Sequence, residues 1–396
     1  MAFLRRLAVI LFVAAAAFTC PAAACAADGQ GAESQKPGGD ESGEAEIADY
    51  LSMILEELNL DEVDRYTNEE LPQKLSFREL VQALLDDELD AKTIADYLLD
   101  LFFYEIRTAR PMFIQILSVA LLFSLFGKVL ITRQGYVHDL SFFAVYTAVM
   151  MLLLDSFLLV NNVVEAGIQK MLSFMTAFIP VYATTLLVAG NGTSAGVFYE
   201  IAFVLIYLLE LAMKAVFIPG VHIFVLLMMV DGMFEEARLS RLADMIESGI
   251  KVALKVAVAG VVGLGVVQSL LAPAKDRLAA SGVFQTLKAI PGVGNTFGAA
   301  GEVLVGCGIM IKNSLGAAAL IILVMICAAP AISVACFHIM YRLIGALLQP
   351  FCDKRLGDCV HGAGRGCALY LKIIVNAMML FFITISMISA STSFIY

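Results

Sequence analysis

Lys288-Ala289-Ile290-Pro291-Gly292-Val293-Gly294-Asn295-Thr296-Phe297-Gly298, continuing through Gly301-Glu302 to Gly306-Cys307-Gly308, lies among long apolar segments yet carries six glycines, a proline, an asparagine and a glutamate. Hydrocarbon offers a backbone no hydrogen bonds, so irregular chain at membrane depth is tolerated only where protein or a water-filled cavity covers it. Pro291, Gly292, Gly294, Asn295, Gly298, Gly301 and Glu302 therefore read as a buried seam, either packed or lining a polar path.

A fainter copy sits 111 residues earlier, where Phe178-Ile179-Pro180 leads to Ala189-Gly190-Asn191-Gly192. At the same offset Ile218-Pro219 falls on Ala329-Pro330. The register of prolines and apolar runs, rather than residue identity, suggests a degenerate internal repeat. The competing reading is accidental alignment of two proline-interrupted helices.

Composition sets the class. With 60% hydrophobic residues, a mean hydropathy of +0.85 and apolar runs of membrane-spanning length, the chain from residue 111 onward reads as a polytopic α-helical membrane protein. The net charge of −10 conceals a split: residues 28 to 110 hold 22 acids and 7 bases, whereas residues 111 to 396 hold 14 acids and 17 bases. The acidic part reads as a separate aqueous region.

The chain opens with Arg5-Arg6, an apolar run from Leu7 to Phe18 and the small-residue site Ala24-Cys25-Ala26, so residues 1–26 read as a secretory signal peptide. The rival is a lipoprotein signal acylated on Cys25. Residues 27–45 are too polar to bury a core and form an acidic linker. Residues 46–110 form an acidic helical extracytoplasmic region with amphipathic helices at Ile47–Leu58, from a capping box at Ser76-Phe77-Arg78-Glu79 to about Leu89, and at Thr93–Arg110. This region is either a solvated mini-bundle or a docking surface for an extracytoplasmic partner.

From Met112 the pattern gives about eight spans: 112–131, 140–160, 171–189, 197–230 (broken at Pro219-Gly220), 250–271, 291–311, 315–340 (broken at Pro330) and 371–391. Starting outside, the predicted cytoplasmic loops are the more basic ones. Three spans per 111 residues would turn successive copies upside down, giving an inverted repeat with Pro-broken helices of the kind that builds transporter sites.

Ionisable residues in spans are functional candidates because each is costly in lipid. Glu210 and Lys214, four apart on one helix, form a candidate ion pair whose plain reading is mutual neutralisation. Glu302 is the candidate for lining a polar path, and Lys312 is expected to snorkel to an interface. The stretches 234–248 and 351–367 are amphipathic, suited to lying in the interface plane or to coupling with another subunit. No phosphate-binding loop, His-Glu-x-x-His or Gly-x-Ser-x-Gly occurs, and no cysteine or histidine spacing suits a metal, so neither catalysis nor a cofactor is expected.

Lys288-Ala289-Ile290-Pro291-Gly292-Val293-Gly294-Asn295, with Ile311-Lys312-Asn313-Ser314-Leu315-Gly316, the signal peptide and the acidic lead-in, resembles the stage III sporulation protein AE family of endospore-forming Firmicutes. The resemblance covers nearly the whole chain and is thinnest over residues 28–75. It implies a non-enzymatic membrane subunit of the channel-like complex linking mother cell and forespore, acting as conduit or platform. The implied partners are other subunits of that complex, including a secretion-type ATPase and ring-forming proteins, besides the lipid bilayer; no nucleic acid is expected. The implied location is the mother-cell membrane around the forespore, with the N-terminal region in the intermembrane space. An autonomous secondary transporter using Glu302 or the Glu210–Lys214 pair, and a pure scaffold, are the alternatives.

Overall fold

Every regular element among the described residues of the computed structural model is helical; those residues are 60–70, 77–85, 99, 102–104, 106–108, 110–111, 113–119, 136–189, 192–234, 239–263, 294–349 and 354–393. They fall within one unit, Tyr50–Tyr396. Two short helices, α1 (Asp61–Glu70) and α2 (Phe77–Leu85), precede α3 (Tyr136–Val188), α4 (Gly192–Ala212), α5 (Ile218–Asp231), α6 (240–263), α7 (Gly294–Leu348) and α8 (Lys354–Ser393). Four helical stretches are long and apolar enough to cross a membrane: Tyr146–Val188, Glu200–Asp231, Cys307–Leu348 and Arg355–Ser386.

The segmentation differs from the expected one in three places, one being the span at 371–391, which is only the latter part of the 40-residue α8. Spans 140–160 and 171–189 belong to the single 53-residue α3, and spans 291–311 and 315–340 belong to the single 55-residue α7. The polar stretch Asn161-Asn162…Gln169-Lys170 contains no proline, and its single Gly167 stays helical. Its Asn161 is buried and accepts a hydrogen bond from Tyr370 Oη across to α8 at 2.7 Å, so a residue that suggested a loop serves a helix contact. Pro180 and Pro330 likewise sit inside continuous helices. Gly167 accommodates the second of these, since a Cβ there would lie 2.6 Å from Pro330 Cγ.

At Pro219 the chain adapts without breaking. A proline has no N–H to give and its ring crowds the carbonyl four residues back. Met213–Phe217 widens into a π-helical turn, with the Ile218 N–H reaching Met213 O, and α5 then starts with the proline in its first turn. The expected break is thus a π-bulge that leaves α4 and α5 nearly continuous.

Contacts fix the directions. Ser156 meets Tyr341, Gly167 faces Pro330, Tyr182 lies against Gly316 and Ala189 against Gly308, so α3 and α7 run antiparallel along most of their length. Asn161 pairs with Tyr370, and Phe157 with Gly366, so α3 and α8 run parallel. Met228 and Val225 of α5 face Gly362 and Gly366, which makes α5 antiparallel to α8. It follows that α5 and α7, which carry the two prolines 111 residues apart, point the same way. The expected inversion is not carried through the repeat: its first aligned segments lie on α3 and α7, which are antiparallel, but Pro219 and Pro330 lie on parallel helices, because inverting them required a chain reversal between residues 311 and 315 where α7 is unbroken.

The N-terminal helices join this bundle. As the capping-box reading anticipated, α2 begins at Phe77; of the residues expected inward, Leu80 and Val81 are buried and Leu84 is half-buried. Phe77 is fully buried and meets Phe178 of α3 edge-on at 6.2 Å, and α2 packs on α7. Burying each such side chain contributes about 1.5–3 kcal/mol. Helix α1 has no counterpart in the sequence pattern, being a polar run in which Val63 and Thr67 are the buried members among the described side chains, besides the preceding Leu60. Its Asp64 accepts the Arg78 N–H at 3.1 Å, satisfying one of the free donors at the start of α2. The predicted signal peptide, linker and helix Ile47–Leu58 lie outside the described residues.

Candidate functional site

The glycine seam opens α7. Pro291 and Gly292 lie outside the described residues, while Gly294, Asn295, Gly298, Gly301 and Glu302 are on its first turns, described as helical backbone only. Gly308 carries the measurable contact: a Cβ would meet the Ala189 backbone at 3.0 Å, so glycine lets α7 cross the end of α3 closely. Lys312, one turn on, is fully buried rather than snorkelled. With α7 continuous, residue 312 sits mid-helix between Gly308 and Gly316 on the face that packs on α3, far from any helix end.

Glu210 and Lys214 do pair, at 2.6 Å. The pair spans the junction between α4 and the π turn and faces outward, with side-chain exposures of 57% for Lys214 and 39% for Glu210. It neighbours exposed Tyr207, Leu208 and Leu211. Glu165 of α3 lies within electrostatic reach of Lys214. The structure therefore keeps this pair apart from the glycine seam.

The polar contacts buried inside the bundle gather instead around α8. Gly362, Gly364 and Gly366 lie where a Cβ would approach Met228 of α5 at 2.8 Å, Tyr341 of α7 at 3.4 Å, and Val225 at 2.4 Å with Phe157 of α3 at 2.9 Å. Glycine spacing thus draws three helices onto one. Tyr341 bonds Ser156, His338 Nδ1 contacts Gly364 O at 2.8 Å, and Tyr146 donates to Met229 O at 2.5 Å. The stretch 351–367, expected to lie in the interface plane, is the packed start of α8 from Lys354 onward, because its glycines match bulky neighbours.

A charged rung joins α6 to this region. Arg365 donates to Asp244 at 2.6 Å and also pairs with Glu247, which Lys251 holds from one turn away at 2.5 Å. The guanidinium lies 5.1 Å over the Phe224 ring, and Nη1 reaches Met228 Sδ at 3.9 Å. Burial alone would raise the Glu247 pKa, but the hydrogen bonds from Lys251 and Arg365 hold its carboxyl below the usual range. The turn into α6 is closed by Asp231, buried at the end of α5, which accepts the Leu239 N–H at 2.6 Å. Sequence reading passed over Arg365, Asp231 and the α8 glycines; the spacing Gly-x-Gly-x-Gly was the available signal. Among the described residues no group of three His, Cys, Asp or Glu side chains is placed to hold a metal.

Comparison with known proteins bears on this arrangement. The family model for stage III sporulation protein AE matches residues 75–392. A relative named stage III sporulation protein AE, from Bacillus subtilis (strain 168), is 26% identical over 257 residues, which is 65% of this chain and 64% of that protein. The chain thus matches somewhat under two thirds of that relative's length. No solved structure matches. The matched region takes in α2 through nearly all of α8, including both glycine-rich stretches and the Arg365 rung, and the chain belongs to the stage III sporulation protein AE family.

Proposed function

We propose that this chain is a non-enzymatic membrane subunit of a channel-like complex joining mother cell and forespore during endospore formation, with a platform for other subunits as its main role. The observation that carries the reading is helix length. At 1.5 Å per residue, the 53-residue α3 and 55-residue α7 are about 80 Å long, against a hydrocarbon core of about 30 Å. Helices of that reach extend beyond one bilayer and present surfaces to proteins outside it, which suits a transenvelope assembly. Family membership supplies the link to sporulation. The partners in this reading are a secretion-type ATPase on the cytoplasmic side and ring-forming proteins in the intermembrane space, where the acidic N-terminal region also lies.

Affinity recovery of the tagged full-length chain from sporulating cells tests the proposal. Co-recovery of those subunits is expected, and recovery of the intact chain without them overturns it. A conduit role is the narrower form of the reading and rests on Glu302. On that form Glu302→Gln accumulates and assembles normally yet fails to sustain forespore activity, whereas normal sporulation leaves only the platform role. The transporter alternative gains if the purified chain alone moves a solute. The outward-facing, mutually neutralised Glu210–Lys214 pair gives that alternative little support.

A further inference from the structure

Three lysines converge where α6 and α8 run side by side. On α6, Glu247, Lys251 and Lys255 are spaced four apart and so form a stripe along one face. On α8, Arg365 and Lys372 are two turns apart. Arg365 is tied to Asp244 and Glu247, and two turns further along Lys372 comes within electrostatic reach of both Lys251 and Lys255. Gly220 of α5 lies against Ile250 while Asp231 meets Leu239, so α6 runs antiparallel to α5 and therefore parallel to α8, and the register set by Arg365 with Asp244 and Glu247 carries Lys372 forward beside Lys251 and Lys255 along the cleft between the two helices. The acids are already engaged, Asp244 with Arg365 and Glu247 with both Arg365 and Lys251. Lys255 and Lys372 form no ion pair among the described residues, and both are exposed. Like charges held together at the edge of an apolar bundle are unfavourable without an anion between them.

The height of the cleft indicates which anion. Tyr370 bonds Asn161, so Lys372 stands level with the polar middle of α3, where Asn162 and Glu165 are exposed. Because α4 folds back along α3 from the turn after Ala189, Lys214 comes level with Glu165 and within its electrostatic reach, which puts the Glu210–Lys214 pair near the same level. A belt of exposed polar side chains thus crosses α3, α4 and the π turn, α6 and α8 at mid-height, flanked by apolar surface that includes Val252 and Val256, at 58% and 64% exposed, on the lysine-bearing helix. Such a belt is what a membrane–water boundary selects, and basic clefts between helices at that boundary receive lipid phosphates.

We propose that Lys251, Lys255 and Lys372 form a binding site for the phosphate of an anionic phospholipid headgroup, with the acyl chains lying along the exposed valines of α6. The site fixes the headgroup layer to the middle of the bundle. Lys255 and Lys372 supply the charge directly. Lys251, shared with Glu247, sets the inner edge of the cleft.

Native mass spectrometry of the detergent-purified full chain, incubated with phosphatidylglycerol or with phosphatidylcholine, tests this. The wild type is expected to retain phosphatidylglycerol in preference, and Lys255→Gln/Lys372→Gln to lose roughly tenfold or more of that preference. Lys255→Arg/Lys372→Arg keeps both charges and is expected to retain it, which guards against a variant that merely unfolds. Lys214→Gln, at the same height but outside the cleft, is expected to behave as wild type. Equal retention by the wild type and the double glutamine variant overturns the proposal. So does full displacement of the lipid by inorganic phosphate, which would assign the cleft to the free ion.

Discussion

Two glycine-rich stretches invite comparison: Gly294–Gly308 at the start of α7, conspicuous in sequence, and Gly362-Ala363-Gly364-Arg365-Gly366 in α8, which was not. In the first, Gly308 faces backbone, and its role is to let one helix end cross another. In the second, Gly362 and Gly366 turn to α5 and α3 while Gly364 turns to α7, so alternate glycines serve neighbours on different sides of one helix. Arg365 stands between them and holds a fourth helix. A glycine run announces close approach, but what approaches, and from how many sides, is decided by residues far away in the chain.

The largest effects follow from filling these spaces. Gly366→Ala puts a methyl 2.4 Å from Val225 Cγ2 and 2.9 Å from Phe157 Cε2, and is expected to lower stability by about 1–3 kcal/mol despite alanine's better helix propensity. Thermal denaturation of the purified protein in detergent measures it. Gly167→Ala should behave similarly against Pro330, and Pro330→Ala should restore only part of the loss, because it removes Cγ at 2.6 Å but keeps Cβ at 2.7 Å from the new methyl. If Gly366→Ala melts with the wild type, the three-helix junction at α8 is looser than these distances state.

Next comes the contrast between charges that join helices and charges that pair within one. Arg365→Ala removes partners from Asp244 and Glu247 and the contact with Phe224, and is expected to cost roughly 1 kcal/mol after allowance for solvent screening. Glu210→Gln/Lys214→Gln removes an exposed pair within one helical stretch, and its melting temperature should match the wild type. Equal losses in the two variants would erase the distinction between a tertiary clamp and a local pair.

A smaller effect of opposite sign is expected at Gly357, near the start of α8, where a Cβ meets nothing within 4 Å. Gly357→Ala should stabilise the protein by up to about 1 kcal/mol, because glycine is the poorer helix former. A loss at Gly357 comparable to that at Gly366 would mean that α8 is packed there by something beyond the described residues.

Much of the architecture could be read in the sequence because it depends on periodicity: the apolar helices, the inward Leu80 and Val81 of α2, and the Glu210–Lys214 pair all follow from residues close in the chain. What could not be read depends on partners far apart. Asn161 looked like a loop residue until Tyr370 supplied its hydrogen bond, and Lys312 looked interfacial because the helix was divided beside it. The division of α7 also carried the expected inversion on to Pro219 and Pro330, since it added a chain reversal that the helix does not make. Pro219 was correctly noticed as a disturbance, but whether a proline breaks a helix, bulges it or passes through depends on the space around it. Pro330 passes through because Gly167 makes room.

The smallest effect expected is on acid sensitivity, and it isolates the electrostatic part of the α6–α8 clamp from its packing. Glu247 is held below the ordinary carboxylate range by Lys251 and Arg365, so the folded state favours its charged form more than the unfolded chain does. A depressed folded pKa contributes stability that is present above the unfolded value, about 4.3 for glutamate, and is lost as pH falls through the folded value. Melting temperature should therefore decline on acidification through that region, and Glu247→Gln should flatten the decline while lowering stability at neutral pH. Side-chain exposure of 12% at Glu247 and 29% at Arg365 leaves the rung partly screened, which keeps the effect small. If Glu247→Gln retains the full acid slope, the slope belongs to other carboxylates, and Arg365 then joins α6 to α8 chiefly through Asp244 and its stacking over Phe224.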